Sequence, residues 1–129
     1  MRLGKLLIVT VLTSTLAACA AADGDFETDF AAAKANVATL EGGAFDHRVR
    51  QRITTPDMID GANKCITGSH ADRPGYSGVM TFEDGGGYTV RFETDDEHTH
   101  CLVELHEGKE LPEPPARPYL LPIEVGVPK

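Results

Sequence analysis

Histidine and carboxylate side chains recur at even spacing in one short segment, at His98, His100, Glu104 and His106. If this segment is a β-strand, the four side chains share a face, because successive residues of a strand point to opposite faces. Same-face neighbours are then about 6.6 Å apart, twice the rise per residue, so two imidazoles can bind one Zn²⁺ or Cu²⁺ ion. His106 would lie about 20 Å from His100, too far to join them. The spacing therefore indicates a candidate metal site on His98 and His100.

Such a site needs a further ligand, and His70, His47 and Asp72 are available elsewhere in the chain. The competing interpretation is a polar, solvent-facing side of an outer strand that binds no cofactor. Ser69, His70 and Asp72 also supply the residue types of a hydrolytic triad. A triad is defined by its geometry in space, however, and the chain has no G-x-S-x-G elbow. We therefore expect a non-enzymatic protein.

The N-terminal segment has the three parts of a secretory signal. Arg2 and Lys5 give it a positive start, residues 6–16 form an apolar core, and a small-residue exit follows. The core is shorter than the roughly 20 residues that a membrane-spanning helix needs. We therefore predict that residues 1–18 are a signal peptide that is removed, and that the protein is exported.

The residues that end this segment, Leu16-Ala17-Ala18-Cys19, resemble the lipobox of bacterial lipoproteins. The resemblance implies that Cys19 is acylated by two or three chains, which anchor a protein stably where one chain would not. Residues 20 and 21 are both alanine. The lack of aspartate at the second position favours the outer membrane over retention in the inner membrane. We expect a lipid-anchored protein whose domain faces the periplasm, the alternative being an ordinary cleaved signal with an incidental cysteine.

Once Cys19 is acylated, two cysteines remain, Cys65 and Cys101. An even pair in an oxidising periplasm predicts one disulfide, whereas a redox role would favour a C-x-x-C pair, which the chain lacks. The bridge would close a loop of about 37 residues and contribute roughly 4 kcal/mol in the chain-entropy model.

Acidic residues dominate the composition. Residues 19–129 hold twenty acidic and ten basic side chains, a net charge of −10 with neutral histidine. Phosphate binding needs clustered Lys and Arg, so we expect no nucleic acid partner and a surface that repels anionic headgroups. Cationic partners or metal ions would suit this charge, although solubility alone also explains it.

The first element after the tether is a predicted amphipathic helix. Its apolar residues are spaced by four and three and share one helical face: Phe26, Phe30, Ala33, Val37 and Leu40. Gly42 and Gly43 are expected to end it. Residues 45–53 alternate between apolar and polar and are predicted as a strand, although an apolar residue at every fourth position also fits a helix. Residues 55–63 are predicted as a short helix, because a threonine cap is followed by proline.

Strand patterns dominate the second half of the chain. Residues 80–82 and 88–92 alternate on either side of the glycine-rich link 83–87, which predicts a β-hairpin. A third strand is predicted over 98–106, with its apolar face opposite the histidines. Residues 67–76 are rich in turn-forming residues and predict an exposed loop.

Together these elements predict an α+β fold, in which a small antiparallel sheet of three to four strands carries the long N-terminal helix on one face and one disulfide. The organisation we expect is a signal peptide at 1–18, a lipidated tether at 19–25, a folded domain at 26–110 and a proline-rich tail at 111–129. The tail contains six prolines and is expected to lie extended along the domain rather than free.

The function predicted from these features is that of a lipid-anchored envelope protein whose small domain binds a protein partner or supports the envelope. The acidic surface and the loop at 67–76 are the expected contact surfaces. One alternative is a metal-binding lipoprotein that uses His98 and His100. Another is an inhibitor of a cationic envelope-attacking enzyme such as a lysozyme, a type that this chain resembles only in size, charge and location.

Overall fold

The computed structural model describes residues 24–66 and 75–126. In chain order its elements are α1 (Phe26–Val37), α2 (Leu40–Ile53), α3 (Pro56–Ile66), β1 (Tyr76–Phe82), β2 (Tyr88–Phe92), α4 (Glu97–His106) and β3 (Tyr119–Val125). The α+β class, a three-stranded antiparallel sheet and one disulfide are confirmed. No helix in these two ranges is long and apolar enough to cross a membrane.

The sheet has the strand order β2-β1-β3, and both outer strands run antiparallel to β1. β1 and β2 form the predicted hairpin across the glycine-rich link. Gly86 and Gly87 have positive φ angles there, 92° and 74°, which residues with a Cβ rarely adopt. On the other side, Met80 of β1 lies opposite Leu121 of β3. β1 is therefore the central strand, and most of its residues are buried.

Residues 98–106 do not form the predicted third strand but belong to helix α4. Asp96 begins this helix with a capping box, in which its carboxylate accepts the Thr99 N–H and its own N–H donates to the Thr99 hydroxyl, both at 2.9 Å. The buried residues Thr99, Leu102 and His106 recur at helical spacing. The spacing of apolar residues in this segment fits a strand as well as a helix. The capping box and the buried helical face favour the helix.

The third strand comes instead from the proline-rich segment, as β3. Leu121 and Ile123, two residues apart, are both buried. The segment is therefore extended, but as a strand of the sheet rather than as a tail along the domain. Pro122 is tolerated because β3 is an edge strand, where a missing N–H need not break the ladder. The Asn36 side chain donates to the Leu120 carbonyl at 2.9 Å. Proline and this side-chain contact both limit further strand pairing along the edge.

The single long N-terminal helix is also wrong, since two helices meet at Ala38 and Thr39. The Thr39 side chain accepts the Gly42 N–H at 3.0 Å and so caps α2. Gly42 therefore lies in the first turn of α2 rather than ending α1. A Cβ at this position would lie 1.8 Å from the carbonyl oxygen of Asn36, so glycine permits the close approach of the two helices.

The strand predicted over 45–53 is also wrong, because these residues form the rest of helix α2. Phe45 and Val49, one helical turn apart, are both completely buried. The helical interpretation of their four-residue spacing is therefore the one that the fold adopts. The short helix predicted over 55–63 is present as α3, although it extends to Ile66 and so includes Cys65.

Both faces of the sheet are covered. On one face, Met80 and Val90 of the sheet pack in a common core with Phe45 of α2 and Leu102 of α4. On the opposite face, α1 packs against β1 and β3 and completely buries Ala33. α1 thus covers one sheet face, while the main core is formed between the other face and α2–α4.

Arg91 of β2 attaches α1 to the sheet. Its guanidinium donates to the buried Asp29 carboxylate at 2.6 Å and to the Gly24 carbonyl at 3.2 Å. It also lies over the Phe26 ring, with its Cζ atom 5.6 Å from the ring centroid. This arrangement neutralises the one carboxylate of α1 that is buried.

We expect Asp29→Asn to lower the free energy of unfolding by about 2 kcal/mol, because the hydrogen bond from Arg91 loses its charged acceptor. The measurement is urea denaturation followed by circular dichroism. The matched control is Glu27→Gln in the same helical turn, where the side chain is exposed and the change should be within about 0.5 kcal/mol. Equal effects of the two substitutions would contradict this role for the Asp29–Arg91 pair.

Candidate functional site

The two histidines proposed as metal ligands lie on helix α4, two residues apart, and therefore point to different sides of it. The Nδ1 atom of His98 is 2.8 Å from the Cys65 carbonyl oxygen, and the ring packs near Tyr76. His100 is exposed and bonds to the neighbouring Asp95 carboxylate. The helix thus separates the two imidazoles that a strand would have placed together.

The other proposed ligands are dispersed as well. His106 is buried, His47 is exposed on α2 beside Gln51, and His70 and Asp72 lie outside the described residues. Within 24–66 and 75–126, no three His, Cys, Asp or Glu side chains are grouped to hold a metal ion. Binding of Zn²⁺ or Cu²⁺ at His98 and His100 stays a prediction that no longer has the strand geometry behind it.

The disulfide between Cys65 and Cys101 is confirmed, with a Cα–Cα distance of 5.5 Å. It joins the last turn of α3 to α4 rather than fixing a strand of the sheet. Cys65 is buried in the main core and Cys101 packs against that core. The lipidation site Cys19 lies outside the residues that the structure describes.

A cavity of about 200 Å³ lies between α2, α3 and β3. Its walls are mainly aliphatic, with side chains from all three elements: Ile53, Met58, Ala62, Ile66, Leu121 and Val125. Charged residues line it as well, and Asp46 and Arg50 form an ion pair at 2.7 Å. The cavity can therefore accept an apolar group, with a small number of polar side chains available to orient it.

His106 lines this cavity and is the buried titratable residue of α4. Its Nδ1 atom lies 2.7 Å from the Leu102 carbonyl oxygen, and its ring packs on the edge of Phe92. Burial lowers the pKa of His106 below the ordinary 6.5, since the charged imidazolium is poorly solvated, and nearby Lys109 acts in the same direction. The bond to Leu102 opposes this shift without cancelling it. The imidazole is thus held neutral against the cavity.

We expect the free energy of unfolding to fall as the pH is lowered below 6.5, the ordinary histidine pKa. Below this pH, His106 is protonated in the unfolded chain but stays neutral in the folded protein. The free energy of unfolding therefore decreases until the pH reaches the lowered pKa of the folded state. The measurement is urea denaturation at a series of pH values. His106→Gln should reduce the dependence of the unfolding free energy on pH. His100→Gln, which removes an exposed imidazole, should keep the dependence of the parent. Identical slopes for the two variants would refute the assignment.

The sequence does not predict this cavity, because one of its walls is β3, which lies in the segment predicted as a proline-rich tail. The signal that could have revealed it is the alternation over 119–125, where Tyr119, Leu121, Ile123 and Val125 are two residues apart. Prolines on both sides of this alternation made an extended tail the simpler interpretation. The metal candidate, by contrast, was suggested by a periodicity that α4 does not use.

Comparison with protein-family models, with curated proteins and with solved structures found no match to this chain.

Proposed function

We propose that this chain is a lipid-anchored protein of the bacterial envelope, held through acyl chains on Cys19 with its domain facing the periplasm. The Leu16-Ala17-Ala18-Cys19 motif and the preceding signal-like segment support the anchor. The Cys65–Cys101 bridge supports export, because disulfides persist in oxidising compartments and are rare in the cytosol. The outer membrane is the favoured location.

The anchor is tested by expressing the chain in a Gram-negative bacterium with labelled palmitate. The parent should incorporate label and fractionate with the outer membrane, whereas Cys19→Ser should incorporate none. Ala20→Asp is the matched variant for sorting, since it should keep the label and move the protein to the inner membrane. An unlabelled parent, or a labelled Cys19→Ser variant, would overturn the proposed anchor.

The domain itself is proposed to be a non-enzymatic binding module, and the cavity between α2, α3 and β3 carries this proposal. An aliphatic lining contributes contact area rather than reactive groups, which suits binding better than catalysis. An engineered apolar cavity of about 150 Å³ is known to bind benzene, so one of about 200 Å³ can hold an aromatic ring or a branched aliphatic group. We expect that group to be a side chain of an envelope protein or part of a small ligand.

The cavity is tested by adding benzene or indole to the protein and following amide chemical shifts. Shifts should be confined to residues of α2, α3 and β3 around the cavity. Ala62→Leu fills the space and should abolish them, whereas Ala44→Leu adds the same volume at an exposed position of α2 and should not. Shifts that persist in Ala62→Leu, or none in the parent at millimolar probe, would overturn the assignment of this cavity as the binding site.

A further inference from the structure

Helix α2 has a net charge of +1 on a protein that is otherwise acidic, because its three arginines outnumber Glu41 and Asp46. Arg48, Arg50 and Arg52 are three of the ten basic residues in 19–129, and all three are exposed. Arg50 is paired with Asp46, and Arg48 lies over the Phe45 ring. Arg48 and Arg52 are one turn apart, a like-charge spacing that weakens a helix slightly, whereas Arg52 also lies in the last turn, where basic charge favours a helix.

Acidic residues collect in and around α4, which covers the same sheet face as α2 but over a different strand. The segment 93–113 carries eight acidic residues and one basic residue. It contains α4, which packs against β2, and the Tyr88 hydroxyl donates to the His106 carbonyl at 2.6 Å. α2 lies over the other edge, where the Phe45 ring contacts Tyr119 of β3 at a centroid distance of 5.5 Å. The domain is therefore electrically asymmetric, because its basic helix and its acidic segment lie over different edge strands of the same sheet face.

Exposed apolar side chains occur on α2 and on the neighbouring helix α3. Among the residues that the structure describes, the exposed large hydrophobic side chains are Leu40 of α2, which is 94% accessible, and Ile59 of α3, which is 52% accessible. Both helices cover the same sheet face and line the same cavity. Isolated exposed apolar residues are common on proteins, but here Leu40 belongs to the basic helix itself and Ile59 lies beside the same cavity. Basic and apolar side chains together are the combination that binds at a membrane interface.

The proposed anchor keeps the domain close to a membrane. Phe26, where α1 begins, is seven residue steps along the chain from Cys19. A chain of that length spans at most about 25 Å, so the start of α1 stays within that distance of the lipid. Anionic headgroups then lie within reach of α2, where each arginine near the surface is attracted and each carboxylate is repelled.

We infer that α2 is the face that the protein turns toward the anionic surface of the membrane to which it is anchored. The inference rests on the proposed function, because free in solution a chain with a net charge of −10 would be repelled by the same surface. The lipid anchor holds the domain near the membrane despite this repulsion. The uneven distribution of charge then determines which side of the domain faces the membrane. The acidic segment 93–113, over the other edge strand, is then held farther from the membrane than α2.

The experiment couples the unlipidated chain 19–129 to vesicles through the thiol of Cys19 and a maleimide phospholipid, since Cys65 and Cys101 are joined. Amide hydrogen exchange is then compared on vesicles with phosphatidylglycerol and on vesicles of phosphatidylcholine alone. Exchange over 40–53 should slow on the anionic vesicles only, while 97–106 stays unchanged. Raising the salt to 1 M should remove the difference, because the screening length falls to about 3 Å.

The test variant is Arg48→Gln with Arg52→Gln, which should reduce the population in contact about 30-fold and abolish the slowing. The control is Lys34→Gln with Lys109→Gln, which removes the same charge away from α2 and should retain it. Slowing on neutral vesicles, slowing over 97–106 instead, or loss in the control pair would overturn the inference. Chemical coupling replaces acylation, so this result is independent of whether Cys19 carries palmitate in cells.

Discussion

Replacing Cys65 and Cys101 together by alanine is expected to lower the free energy of unfolding by about 4 kcal/mol. The bridge joins residues 36 positions apart. Closing a loop of that length restricts the unfolded chain by about this amount in the chain-entropy model. For a domain of this size the midpoint of thermal unfolding should fall by roughly 15–30 °C. Urea and thermal denaturation of the parent and the double variant measure both quantities.

The parent treated with a reducing agent serves as the control, because it loses the bridge but keeps both cysteine side chains. Its stability should match that of the double variant to within about 1 kcal/mol, the scale of the small packing change at Cys65. A loss below about 1 kcal/mol in both cases would show that the loop is already restricted in the unfolded chain, contrary to the chain-entropy account.

Phe45→Ala is expected to cost 3–5 kcal/mol, the usual range for removing a fully buried aromatic side chain. The Phe45 ring is completely buried and meets Phe82 edge-on at a centroid distance of 5.2 Å and Tyr119 at 5.5 Å. These contacts connect α2 with the central strand and with β3. Truncation should therefore weaken the core in which α2 docks on the sheet. Urea denaturation provides the measurement.

Leu40→Ala is the matched control for Phe45, because it truncates an apolar residue of the same helix that is 94% exposed. Its effect on the free energy of unfolding should stay within about 0.5 kcal/mol. Comparable losses for the two substitutions would mean that α2 does not present Phe45 to the core, and the packing of this helix on the sheet would have to be revised.

Elements whose signals are local were predictable from the sequence. The hairpin of β1 and β2 was predicted because alternation flanks a glycine-rich link that supplies the positive φ angles of the turn. The helix α3 was predicted because Thr55 and Pro56 form a start signal within two residues. The Cys65–Cys101 pairing followed from counting cysteines under the expectation of an oxidising compartment. Each of these inferences needs only neighbouring residues or composition.

The candidate site shows the opposite case. The metal hypothesis depended on 98–106 being a strand, and the cavity was not predicted at all. In 98–106 the residues fit a period of two as well as a helical period, and nine residues are too few for either pattern to prevail. The local signal that decides is the Asp96–Thr99 capping box, which begins a helix and thereby moves His98 and His100 to different sides.

By itself the sequence determined the α+β class, the hairpin, the disulfide pair and the acidic composition, since these depend on local spacing and residue counts. Only the tertiary structure decided that α1 and α2 are separate helices, that β3 joins β1 and that a cavity open to solvent lies between α2, α3 and β3. The physical reason is that short amphipathic segments satisfy two periodicities at once. Burial against partners distant in the chain, such as Phe45 against Tyr119, then selects one of them.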